Sequence, residues 1–193
     1  MKSLKHFFVE VPEKTHGTIT VGGKELFLDA RFNEFEHRVC YGRVVSTPVQ
    51  VETGVKKGDT LFFHHHVTKS DNLRIDDGIY MAVLDLENPR GSHAIAYRDS
   101  KGELHMLADW VFLEPLEEEG DEEVTDAGIV VVSLEEKKEL EARIVTPSQY
   151  MVEQGVKKGD VVGFLPDRDY KMKLDDDSIV YRMTDDDVLY VRN

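Results

Sequence analysis

The hexapeptide Gly-Val-Lys-Lys-Gly-Asp occurs twice, at residues 54–59 and 155–160, 101 positions apart in a chain of 193. Each copy follows a polar, turn-rich approach (residues 49–53 and 149–154) and precedes an apolar run (residues 60–63 and 161–165). Glycine and aspartate ahead of a β-favouring run spell a turn that delivers a strand. Recurrence of the whole unit predicts a tandem duplication. A second echo sets Ile95, Ala96, Tyr97 and Arg98 against Ile179, Val180, Tyr181 and Arg182 at an offset of 84, which places an insertion of about 17 residues in the first copy.

Two units of roughly 100 residues each follow from the duplication. Hydrophobic residues make up 40% and charged residues 32%, and no apolar run reaches the length of a membrane helix. Neither a secretory leader nor a membrane segment is read in the sequence, and Cys40 is the one cysteine, so the expected location is the cytoplasm. The net charge of −14 is concentrated in residues 116–193, with 21 acidic and 10 basic side chains. That field repels a phosphate backbone, and no basic stripe offsets it, which argues against nucleic acid as a partner.

Strands are expected at residues 4–11, 39–46, 60–63, 95–98 and 104–107 in the first half. Residues 110–113 are read as its closing strand, with Pro115 ending the first domain. Residues 18–28, interrupted by Gly22 and Gly23, read as a hairpin or a flexible arm. Residues 67–93 have no evident counterpart in the second copy and are read as an inserted hairpin. In the second half, strands are expected at residues 161–165, 178–182 and 188–191, separated by aspartate-rich turns. Helix is almost absent. The fold class is all-β, two small barrels or sandwiches in tandem, spanning residues 1–115 and 116–193.

Residues 120–132 bring an acidic lead-in, then Thr125, Asp126, Ala127 and Gly128, then Ile129, Val130 and Val131. With the Lys-Lys-Gly-Asp turn and the closing segment 178–191, this resembles a chaperonin-10 (GroES-type) co-chaperonin over nearly all of residues 105–193. The acidic lead-in is similar to the phage branch of that family. The resemblance implies two GroES-like β-barrels and a mobile loop at about 117–143. It further implies a homo-oligomeric ring that caps a GroEL-type chaperonin over unfolded protein substrates, in the host cytoplasm if viral. Gly128, Ile129, Val130 and Val131 would then be the chaperonin contact. In the first copy the corresponding loop is degenerate, with Gly17, Ile19 and Val21 in the matching places. Only eight residues separate Val45 from Gly54, which leaves no room for a roof hairpin. A viral structural or assembly protein that kept the fold is an alternative.

A different reading starts from Gly58, His64, His66, Asp71 and Gly78, whose spacing imitates the first metal motif of cupins. Histidines two apart on a strand share a face, the arrangement a metal ion needs, and His93 or His105 could complete the set. This makes a cupin-like metal-binding barrel the rival expectation. No phosphate loop or nucleophile elbow is visible, so the chain reads as non-enzymatic and without a cofactor. The aspartate triplets at 175–177 and 185–187 lack EF-hand spacing and read as solvated turns.

Overall fold

Phe7 and Val9 are fully buried while Phe8 is half covered and Glu10 is exposed, the period of two that a strand with one face on a core requires. In the computed structural model, which describes residues 2–12, 18–27, 38–116, 122–124, 130–132 and 140–192, this is strand β1 (Phe7–Glu10). There follow β2 (Thr18–Val21), β3 (Lys24–Phe27), β4 (Tyr41–Ser46) and β5 (Thr60–Phe63), then one turn of helix, α1 (His66–Lys69). The first half continues through β6 (Arg74–Asp76), β7 (Ile79–Ala82), β8 (Ala94–Arg98) and β9 (Leu104–Met106). The second half holds β10 (Trp110–Pro115), β11 (Glu122–Val124), β12 (Val130–Val132), β13 (Glu141–Thr146), helix α2 (Gln149–Glu153), β14 (Val161–Phe164), β15 (Tyr170–Lys173), β16 (Ile179–Thr184) and β17 (Val188–Arg192). Strand is the commonest regular structure among the described residues, as the alternating pattern predicts.

Two large antiparallel sheets result, in the orders β6-β7-β1-β4-β5-β8-β9 and β15-β16-β10-β13-β14-β17. Apart from β9 the orders coincide element for element. Two irregularities coincide too: β1 and β10 shift register at Phe8/Val9 and Phe112/Leu113, and β5 and β14 shift at Phe62/Phe63 and Gly163/Phe164. A bulge bends a strand at a fixed place, so matching bulges mean matching curvature. Among the described residues the end strands of each sheet do not pair with one another, so the hydrogen bonding does not close either sheet.

The Gly-Asp turns are built alike. Gly58 and Gly159 take φ of 99° and 96°, a region that a side chain would strain. Asp59 Oδ2 accepts from the Lys56 amide at 2.7 Å, and Asp160 Oδ2 from the Lys157 amide at 2.8 Å. The amides of Gly58 and Gly159 donate to the carbonyls of Val44 and Ile144, both at 2.8 Å, tying each turn to its neighbouring strand.

Four sequence expectations are corrected. Residues 67–93 are not an extra hairpin: β6 and β7 hold in their sheet the places that β15 and β16 hold in the other. The pairing partners also match β8 with β17, not with the 179–182 segment. Short apolar tetrapeptides resemble one another, and only the hydrogen-bonded neighbour distinguishes them. The first half carries longer connections in two places, residues 64–73 against 165–169 and residues 83–93 against 185–187. The strand beginning at Trp110 does not close the first half: β10 pairs with β13 and β16, in the place that β1 holds with β4 and β7. Pro115 therefore ends a strand of the second sheet. The approach at 149–154, read as a turn, forms α2, with Ser148 Oγ accepting from the Met151 amide at 3.2 Å as its cap.

Three cores hold this together. Phe7, Val9, Val44, Leu61 and Phe63 fill the first, and Val111, Leu113, Ile144, Val162 and Phe164 the last. The middle core lies between the sheets, where Cys40, Phe62, Ile95 and Ala96 of the first meet Trp110, Phe112, Met172, Leu174 and Val180 of the second. Residues 110–113 are consequently buried on both faces, which is why they read as a continuous apolar run rather than an alternation.

Candidate functional site

Both halves insert a hairpin at the same point. The β2–β3 hairpin lies between β1 and β4, and the β11–β12 hairpin between β10 and β13. In the first, Val21 pairs with Lys24 across Gly22 and Gly23, whose φ of 59° and 77° suit the tight two-residue turns that match strand twist. The choice between hairpin and arm is settled as hairpin for residues 18–27. Ile19 pairs with Leu26, and Val21 is 55% exposed. In the second, Glu122, Glu123 and Val124 pair with Val132, Val131 and Val130. An acidic strand thus runs beside one of three valines. Gly17, Gly128 and Ile129 lie outside the described residues, as do most of residues 117–139.

A second cluster sits at the seam between the sheets. β5 ends at Phe63, and the His64 amide donates to the His93 carbonyl at 3.0 Å, which starts the turn into α1. The imidazoles therefore do not alternate along a strand, as the cupin-like reading requires. The turn folds His64, His65 and His66 onto one another, with ring centroids 4.3–4.5 Å apart. His65 is buried at 6% exposure and its Nδ1 meets the hydroxyl of Tyr170. The Tyr170 ring is 5.4 Å from that of His64 and 6.0 Å from that of His65. Arg182 lies 4.2 Å from the centre of the Tyr170 ring and 4.9 Å from that of Trp110. Arg38 Nη1 donates to the Tyr170 hydroxyl at 3.5 Å.

Burial, helped by Arg182 and the adjacent imidazoles, pushes the His64 pKa down to about 3. Burial also lowers His93 and raises Tyr170. Cys40, in the same core, is pushed up to about 11 by burial, against the pull of Arg182 and Arg38. The cluster thus sets three imidazoles beside two guanidinium groups. Of the expected metal set, the structure brings His64 and His66 together with His65, the residue between them. Asp71 begins an exposed turn, and His93 stands beside the three without joining their grouping. His105 belongs elsewhere: its ring stacks on Tyr97 at 4.8 Å, and its Nε2 is 3.5 Å from Asp99. Tyr170, Arg182 and Trp110 were not legible as neighbours of the histidines, since only the sheet-to-sheet contact joins them.

Residues 103–191 match the family model described as Chaperonin 10 Kd subunit. The matched stretch runs from β9 through the second sheet. It supports a chaperonin-10 domain in this part of the chain. No curated protein matches the chain. Among the described residues no helix is long and apolar enough to cross a membrane.

Proposed function

We propose that this protein is a non-enzymatic co-chaperonin whose two halves are both chaperonin-10-like barrels, and which assembles into a ring that caps a GroEL-type chaperonin over an unfolded substrate. The observation that carries the reading is the coincidence of the family match at 103–191 with the hairpin inserted between β10 and β13. Gly128, Ile129, Val130 and Val131 are assigned as the contact in the second half, with Gly17, Ile19 and Val21 as a weaker one in the first. The site of action is the cytoplasm that holds the chaperonin, that of a host if the chain is viral.

A single loop is a poor ligand. Burying three aliphatic side chains is worth roughly 1.5–3 kcal/mol each, whereas ordering a dozen residues costs on the order of 1–2 kcal/mol apiece. Several loops offered from one ring raise the effective concentration enough to bind, yet let go when the grooves move.

The seam supports such a ring. Matching the pairings of β5 with β8 and of β14 with β17 sets Ile95 and Ala96 of the first sheet against Leu189 and Tyr190 of the second. Ile95 and Ala96 are fully buried by the second sheet, while Leu189 and Tyr190 are 58% and 47% exposed. In addition β9 covers the edge of β8, whereas β17 is an end strand. A second copy docking head to tail would cover in β17 what the second sheet and β9 cover in β8, and such a contact, repeated through a rotation that closes, makes a ring.

The test is co-sedimentation of the purified protein with a chaperonin in ADP or ATP. Complex formation is expected, and Val130→Asp should abolish it while leaving the circular dichroism spectrum unchanged. Absence of a complex with every chaperonin tried, that of the native host included, overturns the reading.

A further inference from the structure

The histidine cluster is unused by capping, and its geometry has a consequence of its own. One ring nitrogen from each of His64, His65 and His66 lies within 4.8 Å of the other two. The rings belong to consecutive residues, but simple succession does not bring three imidazoles into contact. They meet because the chain turns between the end of β5 and α1, with the His64 amide on the His93 carbonyl; the His66 amide also donates to His64 Nδ1 at 3.2 Å, a bond that an ion taking that ring's single lone pair displaces. No carboxylate belongs to the group. A cluster of bare imidazoles suits late first-row divalent ions, whereas magnesium and calcium call for oxygen ligands.

We propose that His64, His65 and His66 bind one late first-row divalent ion, with zinc as the reference case, at the seam between the two sheets. His66 is exposed and gives the ion a path from solvent. His65 is buried, and its Nδ1 contact with Tyr170 fixes its ring from the second half, as outer partners of metal-bound histidines do. His93 Nδ1, buried without a hydrogen-bond partner, stands next to the site. Arg182 and Arg38 oppose any cation here, so the ion must gain from strong imidazole bonds rather than from general electrostatics. An ion on His65 also ties the first half to Tyr170 of the second, so occupancy stabilises the joined molecule by mass action.

The experiment uses the full-length untagged chain, stripped with a chelator that is then dialysed away. Zinc chloride is titrated calorimetrically, and cobalt(II) chloride is followed by its visible absorption. One ion per chain is expected, with a tetrahedral cobalt spectrum. His66→Ala, a change at an exposed position, should weaken binding about tenfold or more, and His64→Ala combined with His66→Ala should abolish it. His105→Ala tests the other close group, Asp99, Glu103 and His105, and should leave binding unchanged. The proposal is overturned if the parent chain binds no zinc, if stoichiometric binding survives in the double variant, or if His105→Ala removes it. Circular dichroism of each variant establishes that a lost site is not a lost fold.

Discussion

Phe62 of β5 and Phe112 of β10 meet edge to face, with ring centroids 6.3 Å apart and planes at 82°, one ring from each sheet. Both are fully buried, and the Arg98 guanidinium lies 5.7 Å from the centre of the Phe62 ring. Truncating either ring to alanine is expected to cost about 3–5 kcal/mol. Because the two touch, their effects should not add: a double-mutant cycle should give a coupling of about 0.5–1.5 kcal/mol. Urea unfolding followed by fluorescence and by circular dichroism should also show one transition for both halves. Two separate transitions, with Phe62→Ala moving only the first, would mean that the middle core does not join them.

That seam is not written in any local pattern of the sequence. The duplicated Gly-Val-Lys-Lys-Gly-Asp turns were legible because glycine at positive φ and an aspartate that caps its own turn are local requirements. Strands with one solvated face were legible through alternation. The run at 110–113 loses its alternation by being buried twice, and only its pairing with β13 and β16 places it in the second sheet. The histidine run was visible as composition, but its shape was not: the strand register predicted two rings on one face, and the turn into α1 gathered three. Tyr170 is more than a hundred residues from His65, and nothing local announces that contact.

The two Gly-Asp turns allow a matched pair of tests. Asp59 is buried at 6% exposure and its carboxylate holds the Lys56 amide, while Asp160 makes the same bond at a more open site. Asp59→Ala removes a buried carboxylate and its part-buried bond and should cost about 1–3 kcal/mol, against roughly 0.5–1.5 kcal/mol for the exposed bond lost in Asp160→Ala. Asn at either place retains an acceptor oxygen and should recover part of the loss. Chemical denaturation of the four variants checks the order. A larger effect at Asp160 would contradict it.

Cys40 gives a prediction at alkaline pH. Burial raises its folded pKa from 9.0 to about 11. Its contribution to stability is therefore whole below pH 9 and is lost as pH rises through about 11, because the unfolded chain releases the proton first. A rise of that size is worth about 2–3 kcal/mol. Tyr170 and Tyr97, also raised by burial, act in the same direction, but they are present with or without the thiol. Cys40→Ala should accordingly make the fall in unfolding free energy between pH 9 and 11 shallower without removing it. An unchanged slope would show that the thiol ionises freely. In the native protein at about pH 8, the same burial should leave Cys40 inert to a disulfide reagent until denaturant is added.

The last prediction concerns the face of β17. Leu189 takes the place that Ile95 takes in the first half, yet one is more than half exposed and the other has no exposed surface. A head-to-tail contact between copies would remove this difference. The parent protein should then run as a closed oligomer in light scattering at micromolar concentration. Leu189→Asp should convert it to monomer, since the added carboxylate would be buried without a partner at every contact. The position is exposed within one chain, so the monomer's own stability should change by less than about 0.5 kcal/mol. That separation distinguishes an interface from a core. A parent protein that is monomeric at all concentrations would leave no place for a ring, and a Leu189→Asp variant that unfolds would show that the side chain serves its own sheet. Loss of the oligomer should also weaken chaperonin binding although the loops are untouched, because each loop alone is too weak to hold.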